Sequence, residues 1–218
     1  MNYEKILGLC KSYEASLLAV SKYAPDEAVA RLAALGQVDF GENKVQDLVK
    51  RSELFSRLFT GLSWQLLGPL QSNKINALIR AKPALWQSCS SLKEALAVEQ
   101  RLNGPLSALL QVKINAEINQ KGCDIKEAFE LFAKINSSCS KLKLRGLMAI
   151  GLPFDKHSQS EAKAAFLACR AVFEKLQNAF SKEQVSVLSM GMSDDYRLAL
   201  DCGSTQIRLG SALFKGLI

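Results

Sequence analysis

Histidine is almost missing from this chain: His157 stands alone among 218 residues. The six cysteines, at 10, 89, 123, 139, 169 and 202, include no C-x-x-C pair, so the sequence has no zinc pattern. The thiols read as reduced side chains of a cytosolic protein. Long apolar runs are lacking as well. The N-terminal stretch MNYEKILGLCKSYEASLLAV is interrupted by Glu4, Lys5, Lys11 and Glu14, which excludes both the apolar centre of a secretory leader and the length of a membrane span. A soluble, cytoplasmic protein without membrane contact is expected. No low-complexity or Pro/Gly-rich linker divides the chain, so one domain over residues 1–218 is predicted.

What is present fits a sizeable core: 48% of residues are hydrophobic and 22% charged. The formal charge is +7, but the cations are scattered. The densest stretch, KLKLR at 141–145, alternates with leucine as a strand entry does, so no nucleic-acid partner is expected. A compact anionic ligand needs only a few such charges.

Eight short apolar runs read as strands: 16–21, 37–41, 63–68, 84–89, 107–115, 142–150, 185–190 and 206–210. Amphipathic segments follow each of them. In PDEAVARLAALG, Pro25 suits a first helical turn and Gly36 the position beyond the last. Alternating strands and helices imply right-handed crossovers and a parallel sheet. Periodicity leaves an open doubly wound sheet as an alternative, but eight units favour a closed α/β (β/α)8 TIM barrel.

In such a barrel the chemistry gathers at the C-terminal ends of the strands. Lys22 follows the first strand directly. Alone it fits a snorkelling surface lysine; among other rim groups it also fits an amine that attacks an aldehyde to form a Schiff base. Gly41, Glu42 and Asn43 follow the second strand, Gly68, Gln71, Asn73 and Lys74 the third, and Asn115 and Lys121 the fifth. The seventh ends in SMGMSDD (189–195) and the eighth in RLGSALF (208–214). Each of these two turns fits an ordinary helix start, and together they favour a phosphate bound after strands seven and eight. Arg208, inside an apolar strand, needs either an internal carboxylate or a ligand acceptor. His157 reads as a loop residue, and Trp64 and Trp86 as strand packing.

Several motifs occur in one order along the chain: AVSK (19–22), FGEN (40–43), LGPLQSNK (67–74), KINAEINQKG (113–122), RGLMAI (145–150), LSMGMSDD (188–195) and RLGSALF (208–214). Together they resemble the YggS/PROSC family, the pyridoxal phosphate homeostasis proteins. The resemblance implies a fold-type III barrel similar to the N-terminal domain of alanine racemases, with pyridoxal 5′-phosphate (PLP) bound covalently. Lys22 is then the Schiff-base lysine, an N6-(pyridoxal phosphate)lysine. Ser193, Gly210 and Ser211 become phosphate contacts, with Met192 of the same turn among the cofactor-binding residues. Arg208 would face the pyridine nitrogen and Asn43 the ring. Three residues depart from the family pattern: Tyr23 where threonine is common, Gln65 where histidine is usual, and Gly151 where proline is frequent.

An arginine opposite the pyridine nitrogen disfavours its protonation and weakens the cofactor as an electron sink. Similar racemases add a second domain, for which this sequence leaves no residues after the eighth unit. The expectation is therefore a non-catalytic, monomeric protein without assigned catalytic residues, which binds, buffers or delivers PLP, with apo PLP-dependent enzymes as possible partners. A racemase acting through Lys22 is the alternative. Lys121 is expected either as a second, exchangeable amine or as a plain surface lysine.

Overall fold

The computed structural model describes residues 3–114, 121–153 and 155–215. Helix α1 (Tyr3–Ser12) precedes strand β1 (Ser16–Val20), and then strands and helices alternate: α2 (Asp26–Ala34), β2 (Asp39–Glu42), α3 (Val45–Ser56), β3 (Ser63–Leu66), a 3₁₀ turn (Ser72–Lys74) running into α4 (Ile75–Ala81), β4 (Leu85–Cys89), α5 (Leu92–Glu99) and β5 (Leu106–Lys113). A two-residue strand β6 (Cys123–Asp124) leads into α6 (Ala128–Ser138). The chain continues through β7 (Leu142–Ala149), α7 (Gln159–Phe180), β8 (Val187–Ser189), α8 (Tyr196–Asp201), β9 (Gln206–Leu209) and α9 (Ser211–Phe214).

Every strand pairing is parallel, and two of them settle the topology. Trp86 of β4 pairs with Ala108 of β5, and Ser16 of β1 pairs with Gln206 of β9. The ring β1-β2-β3-β4-β5-β7-β8-β9 therefore closes on itself, and the open sheet is excluded. All eight expected strands are present, with ends that differ from the expected ones by at most two residues. β6 was not foreseen and adds to β5 outside the ring, with Cys123 against Val112. Helix α1 was not foreseen either; the Tyr3 hydroxyl donates to Gln37 Oε1 at 3.1 Å. Pro25 lies in extended backbone just ahead of α2 rather than in its first turn, and Gly36 takes a positive φ of 94° past the helix end.

The helices are set by their apolar faces. In α7, Ala162, Phe166, Cys169, Phe173 and Leu176 recur at spacings of three and four and are buried against the barrel, while Ser158 and Glu161 form a reciprocal cap at its start. These residues belong to the main core, which lies between barrel wall and helices. All six cysteines are buried and unpaired.

The barrel interior is unusually polar. Such interiors are ordinarily filled by Val, Ile and Leu; here Gln65, Gln87 and Gln206 meet inside, all buried. Gln87 Nε2 donates to Gln65 Oε1 (2.6 Å) and Gln206 Oε1 (2.7 Å), and Gln87 Oε1 accepts from the Ser189 hydroxyl (2.8 Å). Arg208 sits two residues beyond Gln206, hence on the same face of β9 and nearer the C-terminal mouth. A small apolar cluster of Leu85, Leu109 and Met148 is separate from the main core. Among the described residues no helix is long and apolar enough to cross a membrane.

Candidate functional site

The C-terminal mouth of the barrel holds a cavity of about 490 Å³. Lys22, Asn43, Met192, Ser193, Arg208, Gly210 and Ser211, drawn from the ends of β1, β2, β8 and β9, all line it. The structure thus gathers seven of the eight expected site residues in one place. Lys121 is described, exposed, and not part of the lining; its carbonyl accepts from Gln111 Nε2 at 2.8 Å. Asn115 lies outside the described residues. Gln71, Asn73 and Lys74 lie along the loop after β3 and do not line the cavity.

Ser21 continues the β1 ladder, its N–H donating to Gly41 O (3.0 Å), and a turn closed by Ala24 N–H to Ser21 O (2.9 Å) presents Lys22 and Tyr23. Lys22 is exposed rather than desolvated. Its ammonium lies 4.9 Å from the centroid of the Tyr23 ring, itself 88% exposed.

Asn43 follows β2 and is set by a close approach. A Cβ placed on Gly68 would come within 1.9 Å of the Asn43 carbonyl oxygen, so only glycine lets the β3 loop pass there. The Gly68 carbonyl is fixed in turn by the Ser88 hydroxyl at 2.6 Å.

The loop after β8 turns at Gly191, whose φ is +93° and where a Cβ would stand 2.6 Å from that of Ala199. Asp195 then stands at the N-cap position of α8, which begins at Tyr196, without a side-chain cap hydrogen bond. Asp195 Oδ1 accepts the Met192 N–H at 2.6 Å and so shapes the turn that carries Ser193. Burial pushes the Asp195 carboxyl above its ordinary range, while the Met192 N–H and the charge of Arg208 pull the other way. Gly151 leaves room for this aspartate: a Cβ there would lie 2.0 Å from Asp195 Oδ2. The departure from proline at that position thus has a steric counterpart. Across the mouth, the Ser193 hydroxyl is 3.3 Å from that of Ser211 and 3.4 Å from the N–H of Ala212.

Arg208 is buried, and its anchors are backbone and hydroxyl rather than a bonded carboxylate. NH1 donates to Ser189 O (2.7 Å) and Oγ (2.8 Å), and NH2 to Ala149 O (2.8 Å). Burial lowers the guanidinium to about 10, opposed by the Asp195 charge. Three hydrogen bonds thus tie its guanidinium to the wall.

Sequence reasoning missed part of the lining: Met148, Ile150, Leu67, Phe214 and Lys215. Alternation in LKLRGLMAI could have marked Met148 and Ile150. Lys215 lies one helical turn after Ser211, a spacing that the short α9 makes hard to use.

The cavity combines an amine, two hydroxyls beside backbone N–H groups, a buried guanidinium and an apolar wall. That donor set fits a small phosphorylated aromatic aldehyde. A Cβ on Gly210 would stand 3.0 Å from Val20 O, a tight contact that glycine avoids. Among the described residues no group of three or more potential metal ligands occurs.

Comparison with known proteins agrees with this geometry. The family described as "Alanine racemase, N-terminal domain" matches residues 1–217. A protein of Helicobacter pylori named pyridoxal phosphate homeostasis protein is 44% identical over 202 residues, covering 91% of this chain and 86% of the relative. The structure of PipY from Synechococcus elongatus with PLP bound superimposes with a TM-score of 0.82 at 30% identity, covering 97% of this chain and 98% of that one. An alanine racemase of Clostridium difficile shares the fold with a TM-score of 0.74 at 16% identity, and this chain covers 54% of it.

Proposed function

We propose that this chain, which belongs to the alanine racemase N-terminal domain family and within it to the pyridoxal phosphate homeostasis proteins, binds pyridoxal 5′-phosphate at the barrel mouth and serves the homeostasis of that cofactor in the cytoplasm. The observation that carries the reading is the meeting of Lys22 with Ser193, Ser211 and Arg208 around one cavity.

PLP supplies an aldehyde for condensation with a primary amine. Lys22 is the amine at the mouth and anchors the cofactor as a Schiff base. Ser193, Gly210 and Ser211 would hold the phosphate, with Met192 of the same turn among the cofactor-binding residues, while Asn43 would lie beside the ring and Arg208 would face the ring nitrogen. A guanidinium there keeps that nitrogen unprotonated and restrains carbanion chemistry. The protein is therefore a carrier or buffer, working as a single-domain monomer and handing the cofactor to apo-enzymes. Lys121, outside the cavity, would act as an exchangeable second amine during hand-over.

The test is an absorbance spectrum after incubation with PLP, followed by borohydride reduction and peptide mapping. Reduced cofactor on the Lys22 peptide, absent from Lys22→Ala, supports the anchoring role; an unmodified Lys22 removes it. Incubation of the loaded protein with L-alanine separates carrier from racemase: steady appearance of the D-isomer, lost in Lys22→Ala, would replace the carrier reading. Equal transfer rates to an apo-enzyme from the native protein and Lys121→Ala would end the proposal for Lys121.

A further inference from the structure

We propose that Arg51, braced by Glu42, is a positioning residue that fixes the turn carrying Lys22 and so aims its amine into the cavity. The inference rests on the reading of Lys22 as the anchoring amine.

Arg51 belongs to α3, yet its side chain crosses to the loop between β1 and α2. NH1 donates to the carbonyl of Ser21, and NH2 to the carbonyl of Ala24. These are the residues on either side of Lys22 and Tyr23, so one guanidinium grips both ends of the turn. Nε donates to Asp26 Oδ1 at 3.1 Å, in the first turn of α2. NH1 also meets Glu42 Oε1 at 2.5 Å. Four contacts in three directions use the planar fork of arginine in a way that a lysine ammonium cannot copy.

Glu42 gives the reason to assign this arrangement to the site. Its side chain is wholly buried, Oε1 accepts both Arg51 and the Ser21 hydroxyl (2.6 Å), and Oε2 has no hydrogen-bond partner among the described residues. A buried carboxylate with half its acceptor capacity unused is a poor way to stabilise a fold. It is accounted for by what Oε1 does, which is to hold the guanidinium and the Ser21 side chain against the turn. Lys22 itself is exposed, so the backbone on either side carries the burden of its placement. A shift of about 1 Å in such a group slows its reaction by up to about a hundredfold.

The experiment compares Arg51→Lys with the native protein in two ways. The first is the rate at which the absorbance band of lysine-bound PLP grows. The second is the affinity for pyridoxine 5′-phosphate, which keeps the phosphate and ring but has an alcohol in place of the aldehyde. Band growth about tenfold slower or more, with pyridoxine 5′-phosphate affinity within about twofold of native, is expected. Equal band growth overturns the inference, and so does an equal loss of both, which would make Arg51 a support of the whole cavity. If Arg51→Lys does not fold, Ser21→Ala, which removes only one of the groups Glu42 holds, is read by the same two measurements and the same outcomes. A native protein that never forms the band would sink the anchoring role of Lys22 and this inference together, whereas a native band matched by the variants sinks the inference alone.

Discussion

The Ser193 hydroxyl lies 3.3 Å from the Ser211 hydroxyl, although the first belongs to the loop after β8 and the second opens α9. Closure of the barrel thus brings two turns together, and the proposed phosphate site is built from both. On the proposed reading, replacing Ser193 by alanine removes a hydrogen bond to a charged phosphate, worth about 1.5–3 kcal/mol. Titration with pyridoxine 5′-phosphate should show Ser193→Ala binding about tenfold or more weakly, with the thermal midpoint nearly unchanged. An unaltered affinity would place the phosphate elsewhere.

The polar interior makes a second prediction. Gln87 is the hub through which Gln65, Gln206 and Ser189 are joined. Gln87→Leu strands these three buried partners, at about 1–3 kcal/mol for each group that finds no replacement. Urea unfolding is expected to show a loss of several kcal/mol. Because the Ser189 hydroxyl also accepts from Arg208, the variant should weaken PLP binding too.

The close approach of Gly68 to Asn43 gives a third. Gly68→Ala sets a methyl group 1.9 Å from the Asn43 carbonyl oxygen, and the β2 or β3 loop must move. Overpacking of this kind costs about 1–3 kcal/mol. Calorimetry should show the lower midpoint, and, if Asn43 lies beside the ring as proposed, the band of bound PLP should shift.

The fourth concerns pH. Glu99 is partly buried, which disfavours its ionised form, but the N–H groups of Leu142, Lys141 and Ser140 and the Ser140 hydroxyl outweigh this and hold its pKa below the ordinary range. A carboxyl with a lowered folded pKa stabilises the protein above its unfolded value and loses that contribution as pH falls through the folded one. Glu99→Gln should therefore cost about 1–2 kcal/mol at pH 7 and much less in strong acid. Unfolding curves at the two pH values measure the difference; an equal cost at both would remove ionisation from the account.

The sequence carried the barrel because its strands are apolar runs at regular distance, and periodicity survives translation into local structure. It carried the mouth for a similar reason: Lys22, Ser193 and Ser211 each follow a strand end, and strand ends converge in this topology. β6 escaped because Cys123 and Asp124 are too few to show a period. Arg51 reads as one more solvated cation on an amphipathic helix; only the fold reveals that it crosses to another loop. The inward-facing glutamines of β3, β4 and β9 escaped because composition cannot tell a polar side chain in water from one satisfied by its neighbours inside a barrel.

The burial of the six cysteines determines how the molecule deals with electrophiles. Burial raises the thiols of Cys123 and Cys169 to about 12 and that of Cys10 to about 11, far from the reactive thiolate form at neutral pH. Maleimides and other soft reagents therefore find no target until the fold opens, so their uptake acts as a clock for unfolding. Aldehydes meet the exposed Lys22 amine at once. The fold thus sorts incoming reagents by hardness, leaving carbonyl compounds free of competition from sulfur.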